Sequence, residues 1–152
     1  MRITIGADHA GFPLKEAVKA HLVSAGHAVT DAGAYSTDSV DYPVIAGAVA
    51  GDVASGAAEL GVLVCGTGLG MAIAANKVAG VRAVQVNTVA FAEMARRHND
   101  ANVVTLAGRS IDEDTAFAIV DAFLSTAFEG GRHQVRVDQI GDMECQPGRT
   151  VS

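Results

Sequence analysis

The stretch Leu63-Val64-Cys65-Gly66-Thr67-Gly68-Leu69-Gly70-Met71-Ala72-Ile73-Ala74-Ala75-Asn76-Lys77 decides how the chain is read. An apolar run ends at a cysteine, glycines alternate over the next five residues, and a helical pattern follows. Strand, tight turn and helix in that order make one half of a βα unit. Glycine lets the backbone come close to a ligand, and free N–H groups at a helix start point at an anion. The turn could therefore bind a phosphate or hold an oxyanion formed during catalysis, or serve only as a tight turn. It lacks the Gly-Lys-Ser/Thr of a P-loop. As a dinucleotide fingerprint it is weak, because it follows the third strand and its spacing is GxGxG.

Outward from this unit the same alternation recurs. Ile3–Gly6, Ala28–Asp31, Gly61–Cys65, Arg82–Val86 and Val103–Ala107 read as short strands. Between them Leu14, Val18 and Leu22 recur at helical spacing, with Pro13 suited to a first turn. Asp41 can cap a helix carrying Ile45, Val49 and Val53. Leu69–Val78 and Thr88–His98 read as helices, and Asp112 can cap a fifth that carries Ile119, Val120 and Phe123. Five βα units in a row predict one doubly wound three-layer α/β/α sandwich with a five-stranded parallel sheet. Strand order is not contained in this pattern. Residues 1–152 read as one domain, with 129–152 as a C-terminal tail.

Composition narrows the function. The 152 residues are 49% hydrophobic and 18% charged, which suits a compact soluble domain. A net charge of −6 argues against nucleic acid or an anionic membrane as the main partner. No apolar run reaches the roughly 18–20 residues of a membrane span, and MRITIGADHAG lacks a signal-peptide core. Cys65 and Cys145 make a poor disulfide framework, so the cytoplasm is the expected compartment.

Ligands of a doubly wound sheet bind at the C-terminal ends of its strands. Here those ends carry Ala7-Asp8-His9, Cys65–Gly70, Asn87 and Gly108-Arg109, and the loop after the second strand holds Tyr35, Asp38 and Tyr42. Cys65 has two readings. A cysteine ending a buried strand is commonly a small hydrophobe, whereas a helix start beside it favours a negative sulfur that could act as nucleophile or base. A phosphatase-type loop would need arginine six residues later, and position 71 is Met71. The five histidines include no H-x-x-x-H pair and no accompanying carboxylate cluster, so nothing points to a metal.

His98 presents a geometric problem. Its helix starts near the site edge at Thr88 and runs back roughly 15 Å, at about 1.5 Å per residue. It either caps its own helix at the opposite edge or completes the site of a neighbouring subunit in a symmetric dimer. Arg132 and Arg136 share a helix face and can grip a phosphate, or form an exposed basic face. Gly130-Gly131 suggests a hinge sending the tail elsewhere, toward a dimer interface.

These marks in this order resemble the ribose-5-phosphate isomerase B family and its galactose-6-phosphate isomerase relatives. The marks are GADHAGFPLK, DYP at Asp41–Pro43, CGTGLGMAIAANK, GVRAV, RRHNDANV and EGGRHQVRV, spanning about Ile3 to Arg136. The terminal MECQPGRTVS, with Cys145, has no counterpart in the pattern. The resemblance implies aldose–ketose isomerisation of a sugar phosphate through a cis-enediolate, without metal or organic cofactor. It implies Cys65 as the base that moves the proton between C1 and C2. Thr67 and the N–H groups of Gly66, Gly68 and Gly70 would hold the oxyanion. His98 with Asp8 would assist ring opening. Arg132 and Arg136, with His9 and Arg109, would hold the phosphate, and Tyr42 and Asn99 would line the sugar. It also implies a homodimer with shared sites, or a dimer of dimers. Tetrulose, allose or galactose phosphates fit the same proton chemistry, and a non-catalytic sugar-phosphate-binding module remains the alternative outside enzymes.

Overall fold

The structure is a computed structural model and describes residues 1–144; Cys145 and the residues after it lie outside the described residues. Strand and helix alternate through β1 (Arg2–Ala7), α1 (Phe12–Ser24), β2 (Ala28–Asp31), α2 (Tyr42–Ala54), β3 (Leu60–Cys65) and α3 (Leu69–Ala75). They continue through β4 (Ala83–Gln85), α4 (Val89–Asn99), β5 (Val103–Ala107), α5 (Glu113–Ser125) and α6 (Arg132–Glu144). All strand pairs are parallel and the order is β2-β1-β3-β5-β4. Leu14, Val18 and Leu22 of α1, Ala92 and Ala95 of α4, and Ile119 and Phe123 of α5 share one core with one sheet face. Ala46, Val49 and Ala50 of α2 and Met71 and Ala75 of α3 fill the other. The expected three-layer sandwich is therefore the observed one. Among the described residues no helix is long and apolar enough to cross a membrane.

Local chemistry sets the helix boundaries. Asp112 and Thr88 cap their helices by accepting from the N–H of Thr115 and Phe91 at 2.8 and 3.2 Å. Asp41 precedes α2 but its side chain makes no cap bond, which corrects the expectation. The N–H it could have accepted at the second helical position is missing because Pro43 stands there, and Val44 donates to the Asp41 carbonyl instead. The α3 helix stops at Ala75, three residues before the expected Val78. Asn76 leaves the helix to exchange two hydrogen bonds with the Ala83 backbone, at 2.8 and 2.7 Å, and so clips edge strand β4 to α3.

Lys15 is a buried lysine that the helical pattern does not disclose. Its fully buried ammonium donates to both Asp31 oxygens at 2.9 Å and to the Ala34 carbonyl at 2.6 Å. Glu16 and Lys19 complete a network around Asp31, which α1 thereby fastens to the end of β2. Burial of Asp31 opposes its ionisation, but hydrogen bonds from Lys19, Lys15 and the Gly33 N–H outweigh it and hold the carboxyl below the usual carboxylate range. A depressed carboxylate stabilises the fold at neutral pH, and that contribution disappears as pH falls through its folded-state value. Asp31→Asn leaves the Lys15 ammonium buried with one anion fewer and is expected to cost about 3 kcal/mol at pH 7. Urea unfolding across pH checks this: the gap between wild type and variant should close on acidification, and a pH-independent gap would refute it.

The strand order positions the functional edge. From β1 the chain moves outward to β2, then returns across β1 to β3, so β1 and β3 flank a topological switch point. The loops after these strands run to opposite faces and leave a crevice between them. Gly61 pairs with Val103 and Cys65 with Ala107, so the start of β5 lies about 13 Å from the Cys65 edge.

Candidate active site

Asp8 follows β1, is buried, and donates its N–H to the Val64 carbonyl at 3.1 Å. Its carboxylate accepts from the Gly11 N–H at 2.8 Å and so shapes the entry to α1. Gly11 passes so close to β3 that a Cβ there would collide with the Val64 carbonyl, which makes glycine obligatory. His9 Nδ1 faces the Val40 N–H at 3.4 Å and ties the β2–α2 loop to the same edge.

Cys65 ends β3 and is 5% exposed. Its sulfur accepts from the Gly68 N–H at 3.1 Å. Gly68 has φ +78°, and a Cβ on it would stand 2.9 Å from Gln85 and 3.1 Å from the Leu106 backbone. Both the left-handed conformation and the close approach therefore require glycine. Thr67 is exposed, and its Oγ1 accepts from the Leu69 N–H at 3.3 Å. The next strand end is zipped to this turn: Gly108 donates to the Cys65 carbonyl at 2.8 Å and Arg109 to the Gly66 carbonyl at 3.1 Å. The Arg109 guanidinium lies over Gly66, where a Cβ would be 3.2 Å from its Nη1. The Tyr42 ring lies against Gly70 in the same way. Asp8, His9, Tyr42, Cys65, Gly66, Thr67, Gly68, Gly70 and Arg109 thus gather at one edge. A thiol, a hydroxyl and backbone N–H groups line it, and an arginine stands beside them.

The remaining expected residues lie elsewhere. His98 and Asn99 end α4, just before β5 begins, at the opposite edge of the sheet. Gly130 and Gly131, with φ +65° and +56°, turn the chain so that α6 comes back beside α4. This corrects the expectation that the hinge sends residues 129 onward away from their own chain. The His98 and His133 rings stack at 4.4 Å with 12° between planes, and Arg132 and Arg136 lie near enough to act on the His133 charge. Burial, then the neighbouring positive charge of His98, Arg132 and Arg136, holds the His133 imidazole below its usual range, while Glu129 acts the other way. His98, Asn99, Arg132 and Arg136 are one group, and the structure does not bring them to Cys65 of the same chain.

Two features of this second group are absent from the sequence reading. A carboxylate does accompany the histidines: Glu129 Oε2 is 3.7 Å from His133 Nε2, and the donor atoms of His98, Glu129 and His133 lie within 4.8 Å of one another. Glu129 and His133 stand four residues apart, and packing of α6 on α4 brings His98 to them. The two ring planes are nearly parallel. An ion about 2.0–2.1 Å from both nitrogens would leave at least one ring plane. With two arginines adjacent, the group suits an anion better than a cation. The second feature is His133 itself, whose only sequence signal is its place between Arg132 and Arg136.

A parallel doubly wound sheet with a strand-end thiol and a left-handed glycine turn at its switch point defines an α/β protein whose ligand-binding edge lies at the C-terminal ends of its strands. The comparisons with known proteins make this specific. Residues 3–140 match the family model described as Ribose/Galactose Isomerase. The chain is 47% identical over 143 residues to ribose-5-phosphate isomerase B of Escherichia coli (strain K12), covering 94% of this chain and 96% of the relative. The crystal structure of a ribose 5-phosphate isomerase from Thermotoga maritima superposes with TM-score 0.91 at 50% identity, over 93% of this chain and 97% of that one. Ribose-5-phosphate isomerase B from Mycoplasma genitalium, with bound ribulose-5-phosphate, gives TM-score 0.91 at 42% identity, over 95% and 97%. The chain belongs to the ribose/galactose isomerase family.

Proposed function

We propose that the chain interconverts ribose 5-phosphate and ribulose 5-phosphate, using its own side chains and backbone without a cofactor. The observation that carries this reading is the Cys65 sulfur held by the Gly68 N–H beside a turn of further N–H groups. In the open-chain aldose the C2 proton is acidified by the C1 carbonyl. Cys65 takes that proton, the C2–H electron pair becomes the C1–C2 double bond, and the carbonyl oxygen gains the charge. The N–H groups of Gly66 through Gly70, with the Thr67 hydroxyl, stabilise this oxyanion; one such donor is worth about 2.7–4 kcal/mol of barrier. Moving the O2 proton to O1 and returning the carbon-bound proton from Cys65 to C1 completes the ketose. Asp8 and His98 assist ring opening by proton transfer.

The phosphate is assigned to Arg132 and Arg136, with His9 and Arg109, and the sugar to Tyr42 and Asn99. Because His98, Asn99 and both tail arginines stand at the far edge of their own sheet, the complete site takes them from a partner subunit. The enzyme is then a homodimer with shared sites, the minimal unit of any dimer of dimers. In support, Ile73, Phe91, Met94, Val135 and Met143 expose apolar side chains on α3, α4 and α6. The reading extends to a cytoplasmic enzyme of pentose phosphate metabolism.

The test is a panel of tetrose, pentose and hexose phosphates, assayed in D2O and after exhaustive chelation. Ribose 5-phosphate should be the preferred aldose, deuterium should appear at C1 of the ketose, and chelation should leave the rate unchanged. Preference for a tetrose or hexose phosphate moves the assignment to that sugar. Activity restored only by a divalent ion overturns the cofactor-free mechanism. Binding without turnover of any sugar phosphate makes the chain a binding module.

A further inference from the structure

The strand β5 reads Val103-Val104-Thr105-Leu106-Ala107, and Thr105 is its single hydroxyl in an apolar sequence. Alternation along the strand turns Thr105 to the face covered by α2 and α3, the side on which Val103 joins the core. It is completely buried. Its Oγ1 donates to the Gly68 carbonyl at 2.8 Å. The hydroxyl thus reaches from β5 to the turn beside Cys65, although neither the sequence spacing nor the family motifs connect the two.

The Gly68 carbonyl is a control point for this turn. It accepts from Thr105 on one side and from the Ala72 N–H, at 3.2 Å, along the helix. Two donors fix the direction of that carbonyl. The peptide joining Gly68 to Leu69 is planar, so the Leu69 N–H must point the opposite way from the carbonyl it shares a plane with. That N–H reaches the exposed Thr67 Oγ1 at 3.3 Å, on the open side of the turn. The other half of Gly68 is its own N–H, which holds the Cys65 sulfur at 3.1 Å. Glycine in a left-handed conformation has wide rotational freedom, so this residue needs an external restraint to keep both N–H groups aimed.

We propose that Thr105 is a positioning residue for proton transfer, its buried hydroxyl locking the Gly68–Leu69 peptide so that the oxyanion donors and the Cys65 sulfur keep their alignment. Thr105 touches no reacting atom, and its role rests on the isomerase reading above. Donors already aligned in the free enzyme cost no reorganisation in the transition state, so misalignment should appear in kcat more than in KM.

Thr105→Val keeps the shape and removes the hydroxyl; Thr105→Ser keeps the hydroxyl and removes the methyl. Valine should lower kcat by about 10-fold to 10²-fold with KM near wild type, and serine should restore most of the loss. Amide exchange of Gly68 in the free protein supplies a readout that needs no substrate. It should speed up in Thr105→Val and return toward wild type in Thr105→Ser. If valine does not fold, Thr105→Ala removes the same donor without adding bulk and is read identically. Wild-type kcat in the hydroxyl-free variant, or serine no better than valine, overturns the proposal. A wild-type protein that isomerises no sugar phosphate overturns the isomerase reading instead, while Gly68 exchange still reports whether the lock exists.

Discussion

Cys65→Ala is expected to leave a folded protein that binds substrate and turns it over about 10²–10⁴-fold more slowly, the range for loss of a positioned general base. The side chain is buried at a strand end and the change removes a single heavy atom, so the sheet and the Gly68 turn should persist. The phosphate is assigned to residues on other elements, and the backbone donors remain. The loss should therefore fall on kcat and leave KM close to wild type, the signature of an interaction made only in the transition state. Cys65→Ser keeps an acceptor for the Gly68 N–H but offers an alcohol in place of the thiol, and should fall in the same range. Steady-state rates and deuterium incorporation at C1 of the ketose measure the same step independently. Near-normal turnover with normal deuterium incorporation in Cys65→Ala would remove the thiol from the mechanism.

The second large effect is a recovery of activity. His98→Asn and Cys65→Ala should each be nearly inactive alone, because every site in either homodimer carries one lesion. When the two proteins are mixed and their subunits exchange, a hybrid has one site with both lesions and one with neither, provided each site draws Cys65 from one chain and His98 from the other. Random exchange makes about half of the dimers hybrid, so about a quarter of wild-type activity should return. The structural basis is the distance across the sheet: Cys65 pairs with Ala107 at the end of β5, whereas His98 precedes its start at Val103. If both groups served one chain, no assortment of subunits could produce an intact site. Exchange confirmed by native mass spectrometry with no recovered activity would reject the shared site.

Much of the edge was legible because its signals are local. Cys65, Gly66, Thr67, Gly68 and Gly70 lie within six consecutive positions, and an apolar run before them with helical spacing after them reveals a strand-to-helix turn. Asp8 and Arg109 were placed by the same rule, since each follows a strand and strand ends share an edge in a parallel sheet. The orientation of His98 followed from helix length alone. Asp41 shows where a local rule was incomplete: the capping residue type was present, but Pro43 removes one of its two possible donors and the other, the Val44 N–H, is taken by the Asp41 carbonyl.

The second group was only half legible. Arg132 and Arg136 share a helix face by spacing, yet nothing local says that α6 folds onto its own α4. Two left-handed glycines and the His98–His133 stack accomplish that, and the stack joins residues thirty-five positions apart. Glu129 stands four residues before His133 and enters the group with it, and its N–H donates to the Arg97 carbonyl at 3.1 Å. Lys15 was hidden for a related reason. On a helical wheel it looks like a solvated cation, and only the placement of Asp31 and the Ala34 carbonyl beside α1 makes its burial tolerable.

By itself, the sequence determined the alternation of strand and helix, the thiol at a strand end and the glycine turn after it. Hydrophobic periodicity and backbone chirality act over a few residues and need no knowledge of the rest of the chain. Only the tertiary structure decided the order β2-β1-β3-β5-β4, which sets Cys65 on the central strand between the ends of β1 and β5. It alone placed the Thr105 hydroxyl under Gly68 and the stacked histidines at the far edge. Those arrangements depend on which distant surfaces pack together, and each is held by contacts whose partners the intervening chain separates by tens of residues.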